Sequence, residues 1–349
     1  MIHCDHLGVP FMKYIVLALF SQIIYAGEPD NFSARLDTNA QIANADINKT
    51  INGVLENAIE LTNEGNNRSC DRKLLLNFLK DDLDKNFPNI VTYLYSNIPL
   101  AGAIDYTQVP YTGKFPYGRT SFVPSTKIKV GNEAFVIGLD KLDHFFSHGF
   151  LYWKIVGENP DMSVAKINNA LDLGIVQEDG PWGLKGYGVK SYGDLAANYK
   201  GLFFWQDLLD GKPPIIACEN NHFILNKKFE LEDYFDESMD ESINCSSFAT
   251  NEMLKSIKVF TEQKKISCPL SAATCLKLVK KYPKEIAKKI LHPLCLGSGT
   301  SQIEIASTLN SKDVFDTVGA LISGGGNLVH ILFPPSRGAT KDTNEVIPK

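Results

Sequence analysis

Six cysteines lie beyond residue 26: Cys70, Cys218, Cys245, Cys268, Cys275 and Cys295. An even number fits a chain whose thiols are all paired in an oxidising compartment. The seventh, Cys4, precedes a segment that reads as a secretory signal. That segment starts at Met12, carries Lys13, runs apolar from Tyr14 to Tyr25 and offers Ala26 at the cleavage point. The expectation is therefore a leader over residues 1–26 and a periplasmic or secreted mature chain. No spacing among the six is C-x-x-C, which argues against a zinc ribbon or a thioredoxin-like site. Six cysteines allow about 15 pairings, and spacing selects none of them. No other apolar run is long enough for a bilayer, so no transmembrane span is expected in the mature chain.

Hydrophobic periodicity predicts a mainly α, multi-helix globular protein with one or two small β-hairpins and disulfides. Helical spacing marks Asp37 to Thr62, and a second helix opens at Cys70. Together with a short helix from Pro88 they make an N-terminal helical region over residues 27–104. A central region, 105–250, begins with a Pro- and Gly-rich surface loop to Pro124. "TKIKVGNEAFVIG" reads as a hairpin turning at Gly131-Asn132, and "PIIACENNHFIL" as another turning at Asn220-Asn221. Helices are predicted from Leu139 to Val156, over "DMSVAKINNALDLGIV" and from Ser191 to Leu209. "ELEDYFDESMDESIN" reads as an acidic helix whose Asp233, Asp236, Glu237, Asp240 and Glu241 form a solvated face. Residues 251–330 form a helical region with three cysteines, and 331–349 a disordered polar tail. No internal repeat stands out.

The densest chemistry is "GLDKLDHFFSHGFLYW", Gly138 to Trp153. Asp140, His144 and His148 follow one another at four-residue spacing, which keeps them on one helical face. Two histidines so placed can share a divalent metal such as zinc, with Asp140 as a third ligand. The bland alternative is a helix whose Asp140 caps its own N-terminus. "HFFSH" lacks the glutamate of H-E-x-x-H, so a zincin is excluded. The second run is "SYGDLAANYKGLFFW". Ser191 and Asp194 form a capping box there, and Asp194 and Asn198 share a face with Ala197 and Gly201. Small residues admit a close neighbour, and the helix starting at Asp140 is the natural one. Packing the two N-terminal halves together brings Asp194 and Asn198 to Asp140 and His144. Glu178, in the loop between, is a further candidate ligand, though a solvated acid is the commoner outcome.

These two runs resemble a family of uncharacterised exported proteobacterial proteins with G-x-D-K-x-x-H-F-F and D-L-x-A-N-x-x-G-x-x-F motifs. The first run is also similar to the D-K-x-x-H-F segment of small envelope lipoproteins of unknown activity. The resemblance covers a minor part of the chain, around the central helices. It maps onto Asp140, Lys141 and His144, then onto Asp194 and Asn198. His148 falls outside the pattern, and Asp143 stands where the family has Gly. No established activity comes with it.

The net charge of −5 and the lack of a long basic run argue against nucleic acid as a partner. Two functions remain. The chain can be a metal-dependent hydrolase acting on a cell-envelope component. In that case Asp140, His144 and Asp194 hold the metal, with His148 and Glu178 as further ligands, and Lys141 or Asn198 steadies developing charge. Alternatively it is a non-catalytic periplasmic structural or binding protein in which the same residues form a buried hydrogen-bond network.

Overall fold

The computed structural model describes residues 28–29, 31–37, 41–65, 69–85, 90, 93–94, 96–101, 109–115, 122–157 and 162–297. The expected signal segment, much of the helix from Pro88 and the polar tail lie outside these residues. Among the described residues no helix is long and apolar enough to cross a membrane. They are mainly helical, with short strands that pair almost entirely antiparallel, and three disulfides.

Helix α1 spans Asn44–Gly65 and buries Ile47, Ile51, Leu55, Ala58 and Ile59. It starts later than the apolar spacing alone suggests. Its asparagines do an unusual job. Asn44, Asn52 and Asn63 each exchange two hydrogen bonds with the main chain of one distant residue: Lys129, Phe229 and Phe223. A carboxamide has the same donor and acceptor as a peptide group, so each side chain satisfies both main-chain groups of its partner. Helix α2 (Arg72–Lys80) begins after the N-cap Asp71, whose side chain accepts from Leu74 N–H.

Strands β1 (Leu100–Ala101), β2 (Ser125–Val130) and β3 (Glu133–Gly138) form an antiparallel sheet in that order. The β2–β3 hairpin turns at Gly131, whose φ of 58° suits glycine. It delivers the chain to helix α3. Three segments run on as α3: Asp140–Asp143, a π-turn His144–His148, and Gly149–Val156. Helix α4 (Val164–Glu178) is capped by Ser163. Strand β4 (Val189–Ser191) leads into helix α5 (Tyr192–Asp210), capped by Ser191. The hairpin β5 (Ile216–Glu219) and β6 (His222–Leu225) turns at Asn220 and Asn221, both with positive φ. Strand β7 (Ser246–Phe248) pairs with β4. Helices α6 (Asn251–Lys264), α7 (Ala272–Lys281) and α8 (Lys284–Ile290) follow.

Two expectations need correction. The loop before β2 is not wholly a surface feature: Val109, Tyr111 and Phe115 are buried in a cluster with Val189, Phe248 and Met253. Burying aromatic rings outweighs the turn-rich composition there. The acidic stretch is not a solvated helix either. It holds two short 3-10 turns, Leu231–Asp233 and Glu237–Met239, and Asp236, Glu237, Asp240 and Glu241 are all buried. "DESMDES" is a tandem repeat of one turn. Asp236 accepts from the N–H and hydroxyl of Ser238, and Asp240 does the same with Ser242. The second oxygen of Asp236 takes Lys281 and Tyr282, and that of Asp240 takes Arg35 and Val136 N–H. Charges this well partnered can be buried.

All six cysteines are paired: Cys70–Cys218, Cys245–Cys268 and Cys275–Cys295. Near the last pair, His292 sits 2% exposed, accepting at Nδ1 from Leu294 N–H. Burial, with Lys190 adding to it, pulls its pKa down to about 4. The unfolded chain therefore takes up this proton first. Stability from His292 is complete above about pH 6.5 and is lost as pH falls toward 4, by on the order of 3 kcal/mol at most. His292→Asn keeps an acceptor near Nδ1 without the titration. Urea denaturation at pH 7 and pH 4.5 should show a smaller acid loss in this variant than in the wild type.

Candidate functional site

Helices α3 and α5 lie side by side in parallel, with their N-terminal ends together. The contact is close because neither partner has a side chain at the crossing. A Cβ on Gly201 would overlap the Phe145 carbonyl oxygen, and one on Gly149 would stand 2.6 Å from the Gly201 backbone. Further along, Trp205 Nε1–H donates to Phe146 O at 2.8 Å, and Trp153 to Gln206 at 3.1 Å. This crossing brings Asp140, Lys141 and His144 to Asp194 and Asn198, as the two motifs predict.

Lys141 is the centre. It is fully buried, and its Nζ lies 2.7 Å from Asp140 Oδ2, 2.7 Å from Glu241 Oε1 and in contact with Asp194 Oδ1. Its stem passes Gly193, where a Cβ would come within 2.9 Å of the lysine Cε. His144 donates from Nε2 to Asp194 Oδ2 at 2.9 Å. Its other nitrogen, Nδ1, lies 3.0 Å from the Asn198 carboxamide. That amide can face the ring either way. With oxygen toward Nδ1 it accepts a hydrogen bond from the ring N–H. Reversed, its nitrogen donates to Nδ1 at 3.0 Å and to the carbonyls of Asp194 and His144 at 3.2 Å each. A charged ring requires the first orientation and a neutral ring the second. In both, each ring nitrogen of His144 is engaged, leaving none for a substrate proton.

The capping box is half realised. Ser191 Oγ accepts from Asp194 N–H at 3.1 Å, but the N–H of Ser191 is taken by Glu178 Oε2 at 3.1 Å. Asp194 is thereby released from capping and turns into the centre. Glu178 is the last residue of α4 and is buried, not a solvated loop acid, because its carboxylate satisfies the start of α5. Ser191 Oγ also lies 2.8 Å from Asp194 Oδ1 and 2.5 Å from Glu241 Oε1. A hydroxyl has one hydrogen, so one of these contacts needs a proton from a carboxyl group.

The electrostatics supply that proton. Burial raises Glu241 to about 7 and Asp140 to about 6, even against the pull of Lys141. Burial and the Asp194 charge push Glu178 well above the usual carboxylate range. For Asp194 burial acts the same way, but the His144 and Lys141 charges outweigh it and hold the carboxyl far down. Burial tends to lower His144, and the charge and hydrogen bond of Asp194 override it, raising it to about 10.

His148 stacks on His144 with ring centroids 4.7 Å apart, and Trp182 meets it edge-on at 6.0 Å. Burial and the His144 charge lower His148 to about 3, so it is a neutral ring beside the centre. Asp140, His144 and Asp194 each offer a ligand atom within 4.8 Å of the others, and they are the group among the described residues able to hold a metal ion; His148 and Glu178 do not belong to it. Lys141 and Asn198, placed by sequence on developing charge, are 0% and 1% exposed. Glu241 is the residue sequence reasoning passes over. In the sequence it stands as one acid of the expected solvated face, and no local signal sets it apart. No family model, no curated protein and no solved structure matches the chain.

Proposed function

We propose that this is an exported, non-catalytic structural or binding protein of the cell envelope, built around a buried ionic network. One observation carries the reading. A lysine of the chain itself fills the position between the carboxylates that a bound cation would take. The network has its own cation, and both nitrogens of its histidine are committed. Three disulfides and the leader-like segment support export, as does the resemblance of the two central motifs to exported proteins.

A second reading, a metal-dependent hydrolase acting on an envelope component, has its own support. Lys141 takes Oδ2 of Asp140 and Oδ1 of Asp194, which leaves the other oxygens. Asp140 Oδ1 is buried without a hydrogen-bond partner, and Asp194 Oδ2 faces His144. These residues suit a divalent ion such as zinc, with Asn198 orienting His144 through Nδ1. Such an ion would polarise a substrate carbonyl or activate water.

Metal analysis of protein purified without chelator separates the two. The first reading expects no stoichiometric metal, with stability lost in His144→Ala and Asp194→Ala. Stoichiometric metal that disappears in a folded His144→Ala variant overturns it in favour of the second.

A further inference from the structure

We propose that Lys141 and Asp194 condense in the folded protein to an isopeptide bond, joining the lysine Nζ to the aspartate Cγ. The reactants are already in contact in a site closed to water. An ion pair in such a place is one proton transfer from a neutral amine and a carboxylic acid, and exclusion of water removes much of the advantage of the charged form. Groups fixed at contact distance also gain the large effective concentration of an intramolecular reaction.

The surroundings hold a donor at each place the reaction needs one. As the Nζ lone pair attacks Cγ, negative charge builds on Oδ2, where His144 Nε2–H stands at 2.9 Å. One proton has by then passed from the ammonium to the touching Asp194 Oδ1, and Glu241 Oε1, 2.7 Å from Nζ, takes the second that the nitrogen must lose. In the same relay the proton that Glu241 already carries passes on through Ser191, whose hydroxyl touches Glu241 Oε1 and Asp194 Oδ1 at 2.5 and 2.8 Å, to the leaving oxygen. The Cγ–Oδ1 bond breaks and the oxygen leaves as water. The balance is an ammonium and a carboxylate giving an amide and one water, with no oxidant or co-reactant. The other two carboxylates lack this arrangement. Asp140 Oδ1 has no donor to receive the growing charge, and the described polar contacts of Glu241 fall on Oε1 alone.

The bond does not depend on the envelope reading: metal content and denaturation test that role, and peptide mass tests the bond. The experiment is mass spectrometry of the full chain, reduced, denatured and digested with trypsin. The expected product is one branched peptide carrying Lys141 and Asp194, lighter than its two parts by one water, with no cleavage after Lys141. Glu241→Gln and Lys141→Arg should return the separate linear peptides. Linear peptides of full mass in the wild type overturn the proposal. So does a water loss confined to the Asp194 peptide alone, the mark of a succinimide, or a branch from Lys141 to Asp140 or Glu241.

Discussion

Lys141→Met is expected to lower the free energy of unfolding by about 3–5 kcal/mol at neutral pH, the range for removing one partner from a buried charge cluster. Methionine fills the channel beside Gly193 but brings no charge. Asp140, Asp194 and Glu241 then face one another with His144 as their remaining cation. Deprived of the lysine, the three carboxyls hold their protons to higher pH in the folded protein than in the unfolded chain. A group whose folded pKa is raised contributes stability that is lost as pH rises through it. The deficit should therefore be largest at pH 8 and shrink toward pH 5. Urea denaturation of variant and wild type at both values checks the sign. A deficit that grows on acidification would falsify the account of Lys141 as the counter-charge. The loss of stability is expected for the ion pair and for the amide, since methionine can supply neither; the rise toward pH 8 belongs to the ion pair, because an amide carries no counter-charge.

The second large effect belongs to the helix crossing. Gly201→Ala should cost about 3 kcal/mol or more, at the upper end for an overpacked core. The added carbon meets the Phe145 carbonyl, which is main chain and cannot rotate away. The two helices would have to part, and with them Asp140, Lys141 and His144 from Asp194 and Asn198. Gly53→Ala provides the control. Gly53 lies inside α1, and a Cβ added there would meet nothing within 4 Å, so alanine should stabilise by roughly 1 kcal/mol. Comparing the two separates lost packing space from ordinary helix propensity. A soluble Gly201→Ala protein of unchanged stability would show that the close contact is dispensable.

Much of the frame is readable without coordinates, because its signals are local. Ser163, Ser191 and Asp71 cap helices through neighbours three residues on. Gly131 and the Asn220-Asn221 pair mark the hairpins through backbone conformation. Even the meeting of Asp140 and His144 with Asp194 and Asn198 follows from two helical faces and one small-residue stripe. The acids past residue 230 follow from nothing local. Their partners Arg35, Lys141, Lys277 and Lys281 lie far along the chain, so the same letters read equally well as a solvated face. Burial of a charge is decided by what arrives opposite it. Asp194 shows the mixed case. Its spacing from Ser191 announces a cap, while its freedom to serve the centre depends on Glu178 taking over half of that task.

The Cys70–Cys218 bridge closes a loop over a separation of 148 residues, and nearly the whole centre lies inside it. Glu241 lies outside. It follows Lys141 by 100 positions and stands just ahead of Cys245, which is tied in turn to Cys268. A chain that emerges from its N-terminus thus presents its buried lysine well before the last of the three acids that surround it. Until then the core of the molecule is electrically unfinished, whatever helices have formed. Completion waits on Glu241, so the centre cannot close until the chain has emerged 100 positions past its buried lysine.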